Sequence, residues 1–112
     1  MSEFADHLRD VFRHFGPIEL RRMFSGQGVF HQGLMVGLVV ADTLYLKADA
    51  LSAGLFEAQG LPRFTYLRKG RPTSLSYYQA PEAVLEDGAE AARWARYAFE
   101  AALRARAQAR RR

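Results

Sequence analysis

The stretch from Leu20 to Lys47, LRRMFSGQGVFHQGLMVGLVVADTLYLK, leaves this chain few folds to choose from. It holds the one long apolar run, Leu34 to Val40, and glycines at 26, 28, 33 and 37 cut it into short β-rich pieces. That spacing is the mark of a tight antiparallel meander. Leu44 and Leu46 alternate with Tyr45 and Lys47, the period of a sheet with one buried face. In the apolar run, Leu34, Val36, Leu38 and Val40 are expected to point one way, while Met35 and Val39 flank Gly37 on the other. This strand should be central, with something covering part of its second face.

The flanks supply helices and a second hairpin. Phe4, Leu8, Val11, Phe12 and Phe15 form one apolar stripe, predicting a helix over Glu3 to Phe15 with Ser2 as its cap. Gly16-Pro17 stops it. Leu20 to Phe24 reads as extended chain or a short strand, and Ser25 to Gly28 as a loop. Strands follow at Val29 to His31, Leu34 to Val40 and Leu44 to Lys47. Asp49 caps a helix over Ala50 to Gln59 that buries Leu51, Leu55 and Phe56. A hairpin follows, Arg63 to Leu67 and Thr73 to Tyr78, with Pro72 at a strand start or edge. Pro81-Glu82 opens the closing helix, and Asp87-Gly88 interrupts it. From Ala89 onward, Trp94, Ala95, Ala98, Phe99, Ala102 and Leu103 form its buried stripe, and Glu100 stands one turn before Arg104.

The expected fold is therefore α+β, a two-layer antiparallel sheet with helices in the order α-β3-α-β2-α. Leu34 to Val40 is central, and the first and last helices pack on one face. The core should include Phe4, Leu8, Phe12, Leu38, Leu46, Trp94 and Phe99.

Composition narrows the function classes. With 112 residues, 49% of them hydrophobic, the chain makes one domain with a real core. No run reaches the roughly 18 to 20 apolar residues of a membrane span, and the start has no signal-peptide pattern. Cysteine is absent, which excludes disulfides and thiolate chemistry. A soluble, cytoplasmic protein is the expectation. The net charge of +4 belongs to residues 104–112, RARAQARRR, which hold five arginines and no acid; without them eleven basic residues face twelve acidic ones. Residues 1–103 are thus expected as the folded body and 104–112 as a fraying tail. Arginine outnumbers lysine 14 to 2 in an alanine-rich chain, the coding bias of a GC-rich genome.

Several strings in this order resemble the TfoX/Sxy family, in its N-terminal domain. They are Arg21-Arg22-Met23-Phe24, Gly26 and Gly28, Gly33-Leu34-Met35, Leu44-Tyr45-Leu46-Lys47-Ala48-Asp49, Phe64-Thr65-Tyr66, Ser76-Tyr77-Tyr78, Pro81-Glu82 and Trp94-Ala95. The resemblance implies a small sheet-and-helix domain similar to secretion chaperones. It also implies a link to regulators of natural competence, whose larger members act with the cyclic-AMP receptor protein and carry a second, helical domain. Ser25 stands where the pattern usually has glycine, and Gln27 where an aromatic is common.

Each candidate contact residue has a blander alternative role. Arg21 and Arg22 are a partner or phosphate contact, or solvated arginines on a strand edge. Ser25 to Gly28 lacks the lysine and the spacing of a phosphate-binding loop. Lys47, one of two lysines, suits a carboxylate partner or is a solvated strand end. Tyr77 is expected in the core with Leu75. That leaves Tyr78 beside Ser74 and Ser76 on the other side as an interface anchor. Met35 and Val39, with Tyr78, form a possible homodimer face. His7, His14 and His31 are too scattered to share a metal, no catalytic constellation is present, and no cofactor is expected. Arg104, Arg106, Arg110, Arg111 and Arg112 are the candidate nucleic-acid contacts, of a weak, non-specific and salt-dependent kind. The leading expectation is a non-enzymatic regulatory domain with a protein partner. Nucleic-acid association through the tail is the alternative.

Overall fold

In the first helix, α1 (Glu3–Val11), Ala5, Leu8 and Val11 are buried on one side. A computed structural model of the chain describes residues 3–23 and 26–111, so the proposed Ser2 cap lies outside the described residues. The helix ends before Phe15, where it was expected to run. Residues 12–15 form a turn in which the Phe12 carbonyl accepts from both Phe15 N and Gly16 N. Gly16 then takes φ +146°, and a Cβ there would stand 2.9 Å from the His31 ring. Only glycine meets both demands.

Among the described residues six strands follow: β1 (Glu19–Met23), β2 (Gly26–His31), β3 (Leu34–Val40), β4 (Thr43–Lys47), β5 (Arg63–Arg68) and β6 (Arg71–Gln79). They form one sheet in the order β1-β2-β3-β4-β6-β5, with every pair antiparallel. β3 has a neighbour on each side, as its apolar run required. The first half of the chain contributes four strands rather than three. Glu19 to Met23 pairs along its whole length with β2, from Glu19 opposite Phe30 to Met23 opposite Gly26. Of the expected loop, Gly26 to Gly28 is strand; Phe24 and Ser25 lie outside the described residues. Glycine permits this at position 26, because a Cβ there would run into the Val39 carbonyl of β3.

The second helix, α2 (Ala53–Glu57), is shorter than expected. Asp49 Oδ1 accepts from Leu51 N at 3.1 Å and Ser52 N at 3.2 Å, while Asp49 N donates to Ser52 Oγ at 3.0 Å. This reciprocal box turns residues 50–52 before the helix starts. Leu51 and Leu55 consequently face solvent, and Phe56 alone of the three expected contacts is buried.

A single turn, α3 (Ala83–Glu86), precedes the long α4 (Gly88–Arg110). Asp87 caps α4, accepting from Ala89 N at 2.9 Å and Glu90 N at 3.4 Å. Its buried side is Trp94 and six alanines, so the helix backbone lies close against β3 and β4.

The core lies between the helices and one face of the sheet. Leu8, Phe12, Leu46 and Trp94 are buried in it, and Phe4 and Phe99 pack half-buried against it. Trp94 meets Phe56 edge-on at 4.9 Å, and Phe56 stacks on Tyr78 at 5.3 Å. Each such side chain contributes about 1.5–3 kcal/mol on burial. Leu38 is buried too, but on the opposite face of the sheet. Among the described residues no helix is long and apolar enough to cross a membrane.

Candidate functional site

The face of the sheet away from the helices is open, and β3 decides what reaches it. Val29 of β2 pairs with Gly37 and Phe30 with Met35, so Val36 is an extra residue in β3. A bulge of this kind shifts the two-residue alternation by one. Leu34, Val36 and Val39 therefore belong to the helix-side core, while Met35, Leu38 and Val40 share the open face. The expected grouping of Leu34, Val36, Leu38 and Val40 fails for that reason. Met35 and Val39, paired above as one possible dimer face, stand on opposite faces, and Val39 is only 5% exposed.

The open face is a groove of about 720 Å³. Met23, Met35, Leu38 and Val40 line it from the first strands; Phe64, Tyr66, Leu75 and Tyr77 line it from the β5–β6 hairpin, with Arg68. β1 and β5 are the two ends of the strand order, so they share one groove only because the sheet curls toward its open side. β4 pairs with β6 through Tyr45 to Lys47 alone, and the hairpin extends well past it to Arg68 and Arg71. Tyr45 meets Phe64 edge-on at 4.9 Å, and Phe64 stacks with Tyr66 at 6.0 Å.

Charge is sorted by layer. The six strands hold Arg21, Arg22, Lys47, Arg63, Arg68 and Arg71 against one carboxylate, Glu19. The other eleven acids lie in helices, turns and connections. A body that is neutral as a sum is thus a basic sheet backed by a more acidic helical layer. Glu19 is already engaged: Arg21 Nε donates to its Oε1 at 2.8 Å, which lowers the Glu19 pKa and raises that of Arg21. The Arg21 guanidinium also lies 4.3 Å over the Phe30 ring. Lys47 Nζ stands 5.2 Å from the Tyr77 ring centroid, and burial pushes the Tyr77 phenol up to about 12.

The two tyrosines are exchanged relative to expectation. The division of β6 into Leu75 with Tyr77 and Ser74 with Ser76 and Tyr78 is right, but the first set faces the groove and the second the helices. Tyr78 is 5% exposed and its hydroxyl donates to Glu57 Oε2 at 2.8 Å, which raises its pKa. It is a core residue with one polar tether, not an outward anchor. Arg22 is exposed on β1, on the side opposite Arg21 and Met23.

The C-terminal arginines separate into two kinds. Arg104 is bound to the body, with Nε 2.6 Å from Asp49 Oδ2 and Nη2 2.9 Å from Oδ1. Arg106, Arg110 and Arg111 are exposed, the first two on α4, and Arg112 lies outside the described residues. His31 is an internal strut: Nδ1 is 2.7 Å from the Pro17 carbonyl, and the ring packs against Phe15 and Phe99.

Met23, Leu38, Val40, Phe64, Tyr66, Arg68, Leu75 and Tyr77 were not singled out in sequence as site residues. The signal was there in part. The alternation Phe64, Tyr66, Arg68 marks one face of β5, and the near-absence of acids from the strand segments marks the sheet as basic.

Comparisons with known proteins agree with the resemblance. The family described as the TfoX N-terminal domain matches residues 10–102. The chain is 27% identical over 82 residues to the DNA transformation protein TfoX1 of Aliivibrio fischeri (strain ATCC 700601 / ES114), an alignment covering 73% of this chain. It covers 39% of that relative, so the chain spans about two fifths of its length. Since the family match takes in all six strands and α4 as far as Ala102, the chain belongs to the TfoX N-terminal domain family.

Proposed function

We propose that this domain is a non-enzymatic regulatory module that works by binding a protein through the open face of its sheet. The carrying observation is the groove: helices cover one face, while Met23, Met35, Leu38 and Val40 line the other. Contiguous apolar surface of this kind marks contact sites. The polar side chains lining it are Arg68, Tyr66 and Tyr77, which supply neither a nucleophile–base pair nor paired carboxylates. Kinship with a DNA transformation protein supports a competence-related setting.

The test is a photo-crosslinking amino acid placed at Arg68 in one variant and at Arg106 in another, irradiated in native cells. A protein adduct from position 68 and none from 106 is the expected result. Adducts from 106 alone would overturn the reading.

The end of α4 favours a second reading, nucleic-acid association. Arg106 and Arg110 are exposed one turn apart, and Arg111 follows. Binding there would be weak and steeply salt-dependent. Truncation after Ala105 would abolish it while keeping the Arg104–Asp49 pair and the groove.

A further inference from the structure

Resting on the docking reading above, we propose that the groove takes an acidic, apolar peptide segment of a partner protein. Apolar side chains of that segment fill the floor at Met35, Leu38 and Tyr77, and its carboxylates meet Lys47, Arg68 and Arg71. Arg68 lines the groove, and Lys47 stands over Tyr77. Arg71 is the register partner of Arg68, and residues opposite each other in an antiparallel pair share a face. Among the described residues none of these three cations has a carboxylate in ion-pair contact; the five ion pairs lie elsewhere. Arg21, by contrast, is answered by Glu19. The groove therefore joins an apolar floor to cations that lack counter-charges of their own, and the complementary ligand is apolar and anionic.

Two other occupants fit less well. A second copy laid face to face would bring another Lys47, Arg68 and Arg71 to a face whose strand carboxylate, Glu19, is already paired, and like charges disfavour that pairing. A single strand with its bases stacked in the groove would need free aromatic rings. Of the three rings lining it, Phe64 and Tyr66 stack on each other and Tyr77 carries Lys47, and the rest of the floor is largely Met23, Met35, Leu38, Val40 and Leu75.

The experiment selects a displayed library of short random peptides on the immobilised full chain. The same selection runs on Met35→Glu, on Lys47→Glu/Arg68→Glu, and on Arg106→Glu/Arg110→Glu as the charge control, each checked for folding by circular dichroism. Peptides rich in Asp, Glu and apolar residues should be enriched. Synthesised and titrated by fluorescence anisotropy, they should lose affinity about tenfold or more with Lys47→Glu/Arg68→Glu. Met35→Glu should abolish binding, and the α4 control should leave it unchanged. Peptides that need Met35 but show no excess of acid would overturn this inference and leave the docking reading standing. If no enriched peptide depends on Met35, both fail. A dimer in sedimentation equilibrium that Met35→Glu dissolves would assign the groove to a second copy. Binding of a thymidine oligonucleotide that Lys47→Glu/Arg68→Glu abolishes would assign it to nucleic acid.

Discussion

Arg104 on α4 grips Asp49, in the connection between β4 and α2, with two nitrogens, Nε at 2.6 Å and Nη2 at 2.9 Å, across 55 residues of sequence. Asp49 simultaneously holds the backbone N–H groups of Leu51 and Ser52. One carboxylate thus fixes the far end of α4 and the entry to α2. The Arg104 hydrogen bond, ahead of its charge and the backbone donors, lowers the Asp49 pKa from 3.8 to about 2.

The sign of the pH effect follows. A carboxylate whose pKa is depressed in the folded state contributes stability that is present above its unfolded value and lost as pH falls. For Asp49 the window runs from 3.8 down to about 2. The pair is about one third exposed, so the contribution is about 1 kcal/mol. In urea titrations Asp49→Asn should cost about that much at neutral pH. Its deficit against the unaltered chain should shrink through that window; a constant deficit would contradict the assignment.

The bulge at Val36 makes neighbouring apolar residues respond differently to charge. Val39→Glu buries an unpaired carboxylate in the helix-side core and should unfold the domain or cost several kcal/mol. Met35→Glu enters the half-exposed groove and should leave the chain folded. Thermal melts of both variants decide the point. Equal losses would mean that β3 alternates without a break.

Tyr78→Ala should act as a core deletion. It removes the ring stacked on Phe56 and the hydroxyl bound to Glu57, at about 3–5 kcal/mol. Tyr78→Phe removes only the hydroxyl and should cost about 1 kcal/mol. Denaturant unfolding separates the two, and a mild Tyr78→Ala would return that ring to the surface.

Two glycine substitutions should differ in sign. Gly26→Ala drives a methyl group into the Val39 carbonyl and should part β2 from β3, at a cost of more than about 2 kcal/mol. Gly54→Ala projects into open space within α2 and should stabilise by about 0.5–1 kcal/mol. Melting temperatures moving the same way in both would refute the close approach at Gly26.

Much of the architecture was legible from local chemistry. The stripe of α1, the antiparallel meander around Leu34 to Val40, the second hairpin and the break at Asp87-Gly88 each depend on residues a few positions apart. Periodicity divided β6 correctly into two sets of side chains. It carried no information on which set the helices would cover, so Tyr77 and Tyr78 came out exchanged. Tertiary structure decided the rest. The bulge at Val36 arises from how β3 pairs with β2, and a pairing belongs to two strands rather than one. The Asp49–Arg104 pair closes only when α4 lies across the sheet, which turns an arginine of the apparent tail into part of the body. Part of the sheet's charge, Lys47, Arg68 and Arg71, is scattered through a nearly neutral body and gathers beside the apolar groove only after the strands pair and curl, because side chains distant along the chain add their fields only when folding brings them near.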